Sequence, residues 1–148
     1  MTYESDPSLD PYVDAALGKK AMYPAVLDVH ELSSVADFFI ICSGRSNRQV
    51  KAIAEHIDIE LKKQGIRPLS KEGMEDGHWV LMDYDHVIIH IFYEPVRSFY
   101  DLEGLWIDAK RIETESMKKQ KEVDEEEGPT DFDSDPKGDY DDEYSETI

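Results

Sequence analysis

Several groups of residues have the types and spacing for chemistry. Asp83 and Asp85 are carboxylates one residue apart. Such pairs hold the divalent cation that bridges substrate phosphates in metal-dependent transferases. His78, His86 and His90, beside Asp83, offer ring nitrogens to zinc. Ser43-Gly44-Arg45-Ser46 follows an apolar run and opens a helical pattern, where an anion can meet free backbone N–H groups. Cys42 is the single thiol, so no intramolecular disulfide can form.

Each group has a plainer reading. Asp is a favoured turn residue, and no third carboxylate is evident beside the pair. The histidines suit separate surface or interface positions, and closure by three or four ligands is not assured. One glycine makes little of a phosphate cradle, so Ser43–Ser46 reads as a strand-to-helix turn with a cap. Cys42 sits inside an apolar run with no basic partner in sequence and reads as a buried, inert thiol. Glycine-rich phosphate loops, nucleophile elbows, zinc-protease motifs and paired C-x-x-C are all absent from the sequence. The expectation is therefore a protein without catalytic residues, metal or cofactor. A metal-dependent nucleotidyltransferase, resting on Asp83-x-Asp85 and the Ser43–Ser46 turn, is the alternative.

The stretch Trp79–Trp106 must position most of these groups. Trp79–Asp83 and His86–Phe92 are rich in strand-forming residues, and Tyr84-Asp85 between them suits a two-residue hairpin loop. In that register Asp83 faces His86, Leu81 faces Ile88 and Trp79 faces His90. One face then carries Val80, Met82, Val87, Ile89 and Ile91, a core pattern. The other carries Trp79, Leu81, Asp83, His86, Ile88 and His90, a mixture suited to a contact surface. Pro95 opens a helix that carries Val96, Phe99 and Glu103 near one side, with Tyr100 at its margin. Trp79 and Tyr100 fit a core or an interface equally well.

Earlier in the chain, Asp10-Pro11 starts a helix whose apolar positions are Leu9, Tyr12, Val13, Ala16 and Leu17. Ala25–Val29 is a short strand. Asp37–Cys42 is a short continuous apolar run, as expected of a central strand buried on both faces. Ser46 and Gln49 form a capping box, and Val50, Ile53, Ala54, Ile57 and Leu61 mark one face of a helix running to about Gln64. Gly65 terminates it. Ile66–Leu69 reads as an edge strand and Ser70–Gly77 as a polar loop. The order predicts an α/β fold, a small mixed sheet flanked by helices, over residues 1–110. Residues 111–148 read as a charged, mostly disordered acidic tail, with a weak helical extension over Arg111–Val123.

The chain has 148 residues and a formal net charge of −18. Residues 121–148 hold thirteen acids against two lysines, and the remaining body is also acidic. Such a surface repels phosphate, so no direct nucleic-acid binding is expected, while a basic protein partner fits. No run approaches the roughly 18 apolar residues of a membrane span. The first ten residues carry no Lys or Arg, which argues against a signal or transit peptide. A cytoplasmic, bacterial protein is expected.

The order and spacing of particular residues add to this. VLDV at 26–29, Ser34–Cys42, Ser46 with Arg48-Gln49-Val50, Glu72-Gly73, Trp79, Asp83, His90, Phe92, Arg97, Tyr100, Leu102-Glu103 and Leu105-Trp106 resemble the ribosomal silencing factor (RsfS, or Iojap) family. The resemblance spans roughly Leu17 to Trp106. It implies an α/β fold similar to nucleotidyltransferases but without established transferase chemistry. It implies binding to protein fourteen of the large ribosomal subunit, a steric block to subunit joining, and repression of translation when nutrients are short. Homodimers also occur in the family. The contact residues implied by position are Trp79, Asp83, His90, Arg97, Tyr100, Leu102 and Trp106. The chain departs from the family pattern at Asp85-His86, where glycine then aspartate is usual, at Tyr23-Pro24, and at Gly104.

Overall fold

A computed structural model describes residues 2–3 and 6–127. The strands are β1 (Thr2–Tyr3), β2 (Met22–Asp28), β3 (Phe38–Gly44), β4 (Ser70–Glu72), β5 (Trp79–Asp83), β6 (Val87–Tyr93) and β7 (Lys110–Ile112). The helices are α1 (Asp10–Leu17), α2 (Asn47–Lys63), α3 (Glu94–Tyr100), α4 (Leu102–Leu105) and α5 (Glu115–Glu127). Among the described residues the strands form one mixed sheet in the order β1-β7-β2-β3-β6-β5-β4. β3 and β6 lie parallel at its centre, joined through the α2 crossover, while β5 and β6 form an antiparallel hairpin.

The sheet buries both faces. Ile40 and Cys42 of β3 join Val87, Ile89 and Ile91 of β6 in a core covered by α1 and α2. Val50, Ile53, Ala54, Ile57 and Leu61 of α2 are all fully buried, as their periodicity predicts. Each of the larger aliphatics contributes roughly 1.5–3 kcal/mol by leaving water. Ala25, Leu27, Phe39, Ile41, Ile88 and Phe92 form a second core on the opposite face, packed by Val96, Leu102 and Trp106. This gives the expected α/β architecture, with helices on both sides of a mixed sheet.

The hairpin turns one residue later than the sequence suggests. Tyr84 N–H donates to the Val87 carbonyl at 2.8 Å, so Asp85-His86 forms the loop. Asp85 takes φ +77°, and the Asp83 carboxylate accepts its N–H at 2.8 Å. Tyr84 is buried edge-on against Tyr12 and is unavailable as a loop residue. The register becomes Trp79 with Phe92, Leu81 with His90 and Asp83 with Ile88. Every partner moves by two residues, so the two faces keep their membership.

Other elements differ locally. The edge strand is Ser70–Glu72, not Ile66–Leu69; Pro68 lacks a ladder donor, and Ser70 pairs with Asp83 instead. Ser46 caps α2 by accepting from Gln49 N–H at 3.0 Å, while Gln49 Oε1 accepts from Arg45 N–H at 2.7 Å. The helix opened at Pro95 breaks at Asp101, which adopts φ +47° and caps α4 by accepting from Gly104 N–H. Any Cβ at residue 104 would lie 2.2 Å from Asp101 Oδ2, so glycine there preserves the cap. The expected domain end at residue 110 falls inside β7, which pairs with β2 and buries Ile112. Glu115–Glu127 is a full helix whose N-terminal half meets α1 through Ser116 and Asp14. The rest of the expected acidic tail, from residue 128, lies outside the described residues.

Candidate functional site

The densest concentration of aromatic side chains lies where β5, β6 and α3 meet. Trp79 opens β5 and is half-buried. Its indole stacks on Phe92 at 4.7 Å, lies 5.0 Å from the Tyr100 ring, and donates its Nε1–H to His90 Nδ1 at 3.1 Å. Tyr100 is 52 % exposed and meets the Phe99 ring edge-on at 5.1 Å. Phe99 is 81 % exposed, followed along the chain by Leu105 at 77 % and Ile107 at 78 %. Exposed aromatic rings in mutual contact, as Phe99 and Tyr100 are, make this face a candidate interaction surface. A groove of about 590 Å³ runs beside them, lined by Gly73, Asp76, His78, Pro95 and Val96 as well as the three aromatics.

Gly73 fixes how closely β5 approaches the preceding loop. It has φ +87°, and a Cβ there would lie 2.0 Å from the Trp79 carbonyl oxygen.

A polar network is centred on Arg97 of α3, which is 8 % exposed. Its Nη1 donates to the Tyr23 carbonyl at 2.8 Å and to Ser43 Oγ at 2.9 Å, and its Nε donates to Glu103 Oε1 at 3.0 Å. Glu103 Oε2 also accepts from Arg111 at 3.3 Å. Burial pushes the Glu103 carboxyl up, but the hydrogen bonds and charges of Arg97 and Arg111 outweigh it and hold it below its ordinary value. The network ties α3, α4, β2, β3 and β7 together.

His90 lies 5 % exposed between the Phe39 ring, 5.0 Å away edge-on, and the stacked Phe92 ring. Burial pushes its pKa down to about 4, so it is neutral at physiological pH. Trp106 packs edge-on to Phe39 at 5.1 Å, and Leu102 packs against the same core. Asp83 is four residues along β5 from Trp79, about 13 Å at the usual strand rise. The structure therefore gathers Trp79, His90, Tyr100, Leu102 and Trp106 around the second core and leaves Asp83 at the far end. His90 and Arg97 lie beneath the surface.

Several of the remaining chemistry candidates are engaged in structural roles. Asp83 holds the Asp85 N–H, Ser43 accepts from Arg97, and Ser46 caps α2. Burial pushes the Cys42 thiol up to about 12, outweighing the opposing charge of Arg97. No group of three or more His, Cys, Asp or Glu side chains is arranged to hold a metal ion among the described residues.

The sequence profile of a family described as "Ribosomal silencing factor during starvation" matches residues 2–139. The chain belongs to this ribosomal silencing factor family. The ribosomal silencing factor of Halalkalibacterium halodurans is 41 % identical over 105 residues, 71 % of this chain and 90 % of that protein. That of Bacillus subtilis is 43 % identical over 91 residues, 62 % of this chain and 77 % of that protein. The chloroplastic Iojap protein of Arabidopsis thaliana is 36 % identical over 89 residues, 60 % of this chain and 37 % of that protein. A crystal structure from Bacillus halodurans superposes with TM-score 0.65 at 37 % identity, covering 74 % of this chain and 99 % of that one. Another, from Chromobacterium violaceum, gives TM-score 0.64 at 37 % identity over 66 % of this chain and 81 % of that one.

In this ribosomal silencing factor relative, sequence reasoning passed over Phe99, Leu105 and Ile107 as surface residues. Phe99 was grouped with Val96 and Glu103 on the assumption of one continuous helix. The signal was the Tyr100-Asp101-Leu102 step, where Asp can cap a new helix start and tolerate a left-handed backbone. No helix of the described chain is long and apolar enough to cross a membrane.

Proposed function

We propose that this chain represses translation by docking on protein fourteen of the large ribosomal subunit and sterically blocking the small subunit, with no catalytic step of its own. The contiguous group of half-buried Trp79 with exposed Tyr100 and Phe99 supports this in a chain of the silencing factor family, and Leu105 and Ile107 are further exposed apolar residues just along the chain. Aromatic side chains that sit on a rigid scaffold lose little entropy when they anchor a partner. Asp76, Asp101 and Asp108 are exposed beside them and complement a basic protein.

Trp79 and Tyr100 are the anchors in this reading, and Leu102 and Trp106 support them from the second core. Arg97 ties α3 to α4 and to the sheet through Glu103, Tyr23 and Ser43. Asp83, about 13 Å along β5 from Trp79, sits at the edge of this contact, within the roughly 800 Å² that a partner ordinarily covers.

Calorimetry with purified large-subunit protein fourteen tests the pairing. Heat of binding is expected with the full chain. Tyr100→Ala should weaken it by about 2 kcal/mol or more, roughly a thirtyfold loss of affinity. Absence of binding by the unsubstituted chain at moderate salt contradicts the partner.

A further inference from the structure

β6 reads Val-Ile-Ile-His-Ile-Phe-Tyr, and His90 is the one imidazole in an otherwise apolar and aromatic strand. A buried polar ring is unfavourable there unless a neighbour uses it. Trp79 uses it: the indole N–H can only donate, and His90 Nδ1 accepts it at 3.1 Å. Accepting at Nδ1 fixes the tautomer, with the ring proton on Nε2. His90 Nε2 is buried and has no protein partner. The imidazole is itself clamped between Phe39 and Phe92. The same Phe92 ring stacks under the indole, and Tyr100 leans on the indole from the helix side. Stacking tolerates sliding and inversion of a ring, whereas one hydrogen bond to one nitrogen selects a single orientation.

We propose that His90 is a positioning residue of the docking face: it fixes the Trp79 indole in one orientation through Nδ1 and makes no contact with the partner. This rests on the docking function proposed above. It assigns to His90 a role different from direct contact, since a side chain with 5 % exposure has no surface to offer. Burial also keeps Nδ1 unprotonated at neutral pH, so the acceptor is always available.

Two substitutions separate hydrogen bonding from packing. His90→Phe keeps a ring between Phe39 and Phe92 but removes the acceptor. His90→Asn places Oδ1 near the position of Nδ1 but removes ring volume. In ¹⁵N-labelled full chain, the Trp79 indole N–H, assigned by its loss in Trp79→Phe, should be shifted and slow to exchange in the unsubstituted and Asn chains. In the Phe chain it should exchange freely. Binding to isolated large subunits should fall tenfold or more with His90→Phe and less than threefold with His90→Asn, while thermal stability follows the opposite order. An unchanged indole signal in His90→Phe, or affinities that rank with stability, overturns the proposal. If the unsubstituted chain fails to bind large subunits, docking and the role of His90 in it both fall. The indole signal then still decides whether His90 fixes Trp79.

Discussion

Arg97 Nη1 donates to the carbonyl of Tyr23 at 2.8 Å, joining α3 to a residue of β2 that holds φ +50°. A left-handed backbone is costly for a tyrosine, and the pairing of β2 with β3 is irregular between Met22 and Ala25. The guanidinium holds that irregular segment with the same nitrogen that bonds Ser43 Oγ. Removing it takes their donor from the Tyr23 carbonyl, Ser43 Oγ and Glu103 Oε1, and leaves Glu103 with Arg111 alone. Arg97→Ala is therefore expected to destabilise the fold by about 3 kcal/mol, chiefly through the buried hydrogen bonds it removes from the Tyr23 carbonyl and Ser43. Arg97→Lys should recover only part of this, because an ammonium lacks the planar fork. Urea unfolding measures both.

Gly73 offers a second test from the opposite flank. A Cβ at residue 73 would meet the Trp79 carbonyl oxygen at 2.0 Å, a contact with backbone that no rotamer change relieves. The positive φ adds strain. Gly73→Ala should cost about 2 kcal/mol or more in denaturant unfolding. It should also disturb the Trp79 indole signal. Gly65→Ala has open space around its Cβ and only the strain of φ +80°, so it should cost about 1 kcal/mol.

Much of this fold was legible in the sequence. The face of α2 and the two faces of the hairpin follow from apolar spacing alone, because buried aliphatics must recur at the period of their element. The turn was misplaced because Tyr84, a plausible loop residue locally, is held down by Tyr12 from a distant helix. β7 was not visible: Lys110-Arg111-Ile112 is charged, and only pairing with β2 makes it a strand. At the candidate site, the sequence leaves Trp79 and Tyr100 equally suited to a core or an interface, and only the fold shows Tyr100 half exposed and Trp79 half-buried. The break at Asp101, which starts the separate helix carrying Leu105, depends on a single left-handed residue.

His90 makes stability depend on pH with a definite sign. Its folded pKa of about 4 lies below the ordinary 6.5. Between those values the unfolded chain binds a proton that the folded chain refuses. The contribution is therefore fully present above about pH 6.5, falls as pH drops, and is lost by about pH 4, amounting to roughly 3 kcal/mol. The difference between the unfolding curves of the unsubstituted chain and His90→Phe, measured from pH 7 to 4, isolates it. A flat difference contradicts the burial of a neutral imidazole.

Phe99 and Leu105 distinguish docking from folding more cleanly than Trp79 does. Both are largely exposed, so alanine at either site should change stability by no more than about 0.5 kcal/mol. Loss of an interface anchor is expected to cost about 2 kcal/mol of binding. Trp79→Ala should lower both quantities, because its ring packs on Phe92 and Tyr100.

The most direct test of the central claim is the joining of purified small and large ribosomal subunits, followed by light scattering at moderate salt. With the full chain added in equal amount to large subunits, the joined particle should form to a small fraction of its usual extent. The chain should co-sediment with the large subunit, and Tyr100→Ala should restore joining. Unaltered joining while the chain remains bound to the large subunit would contradict a steric block.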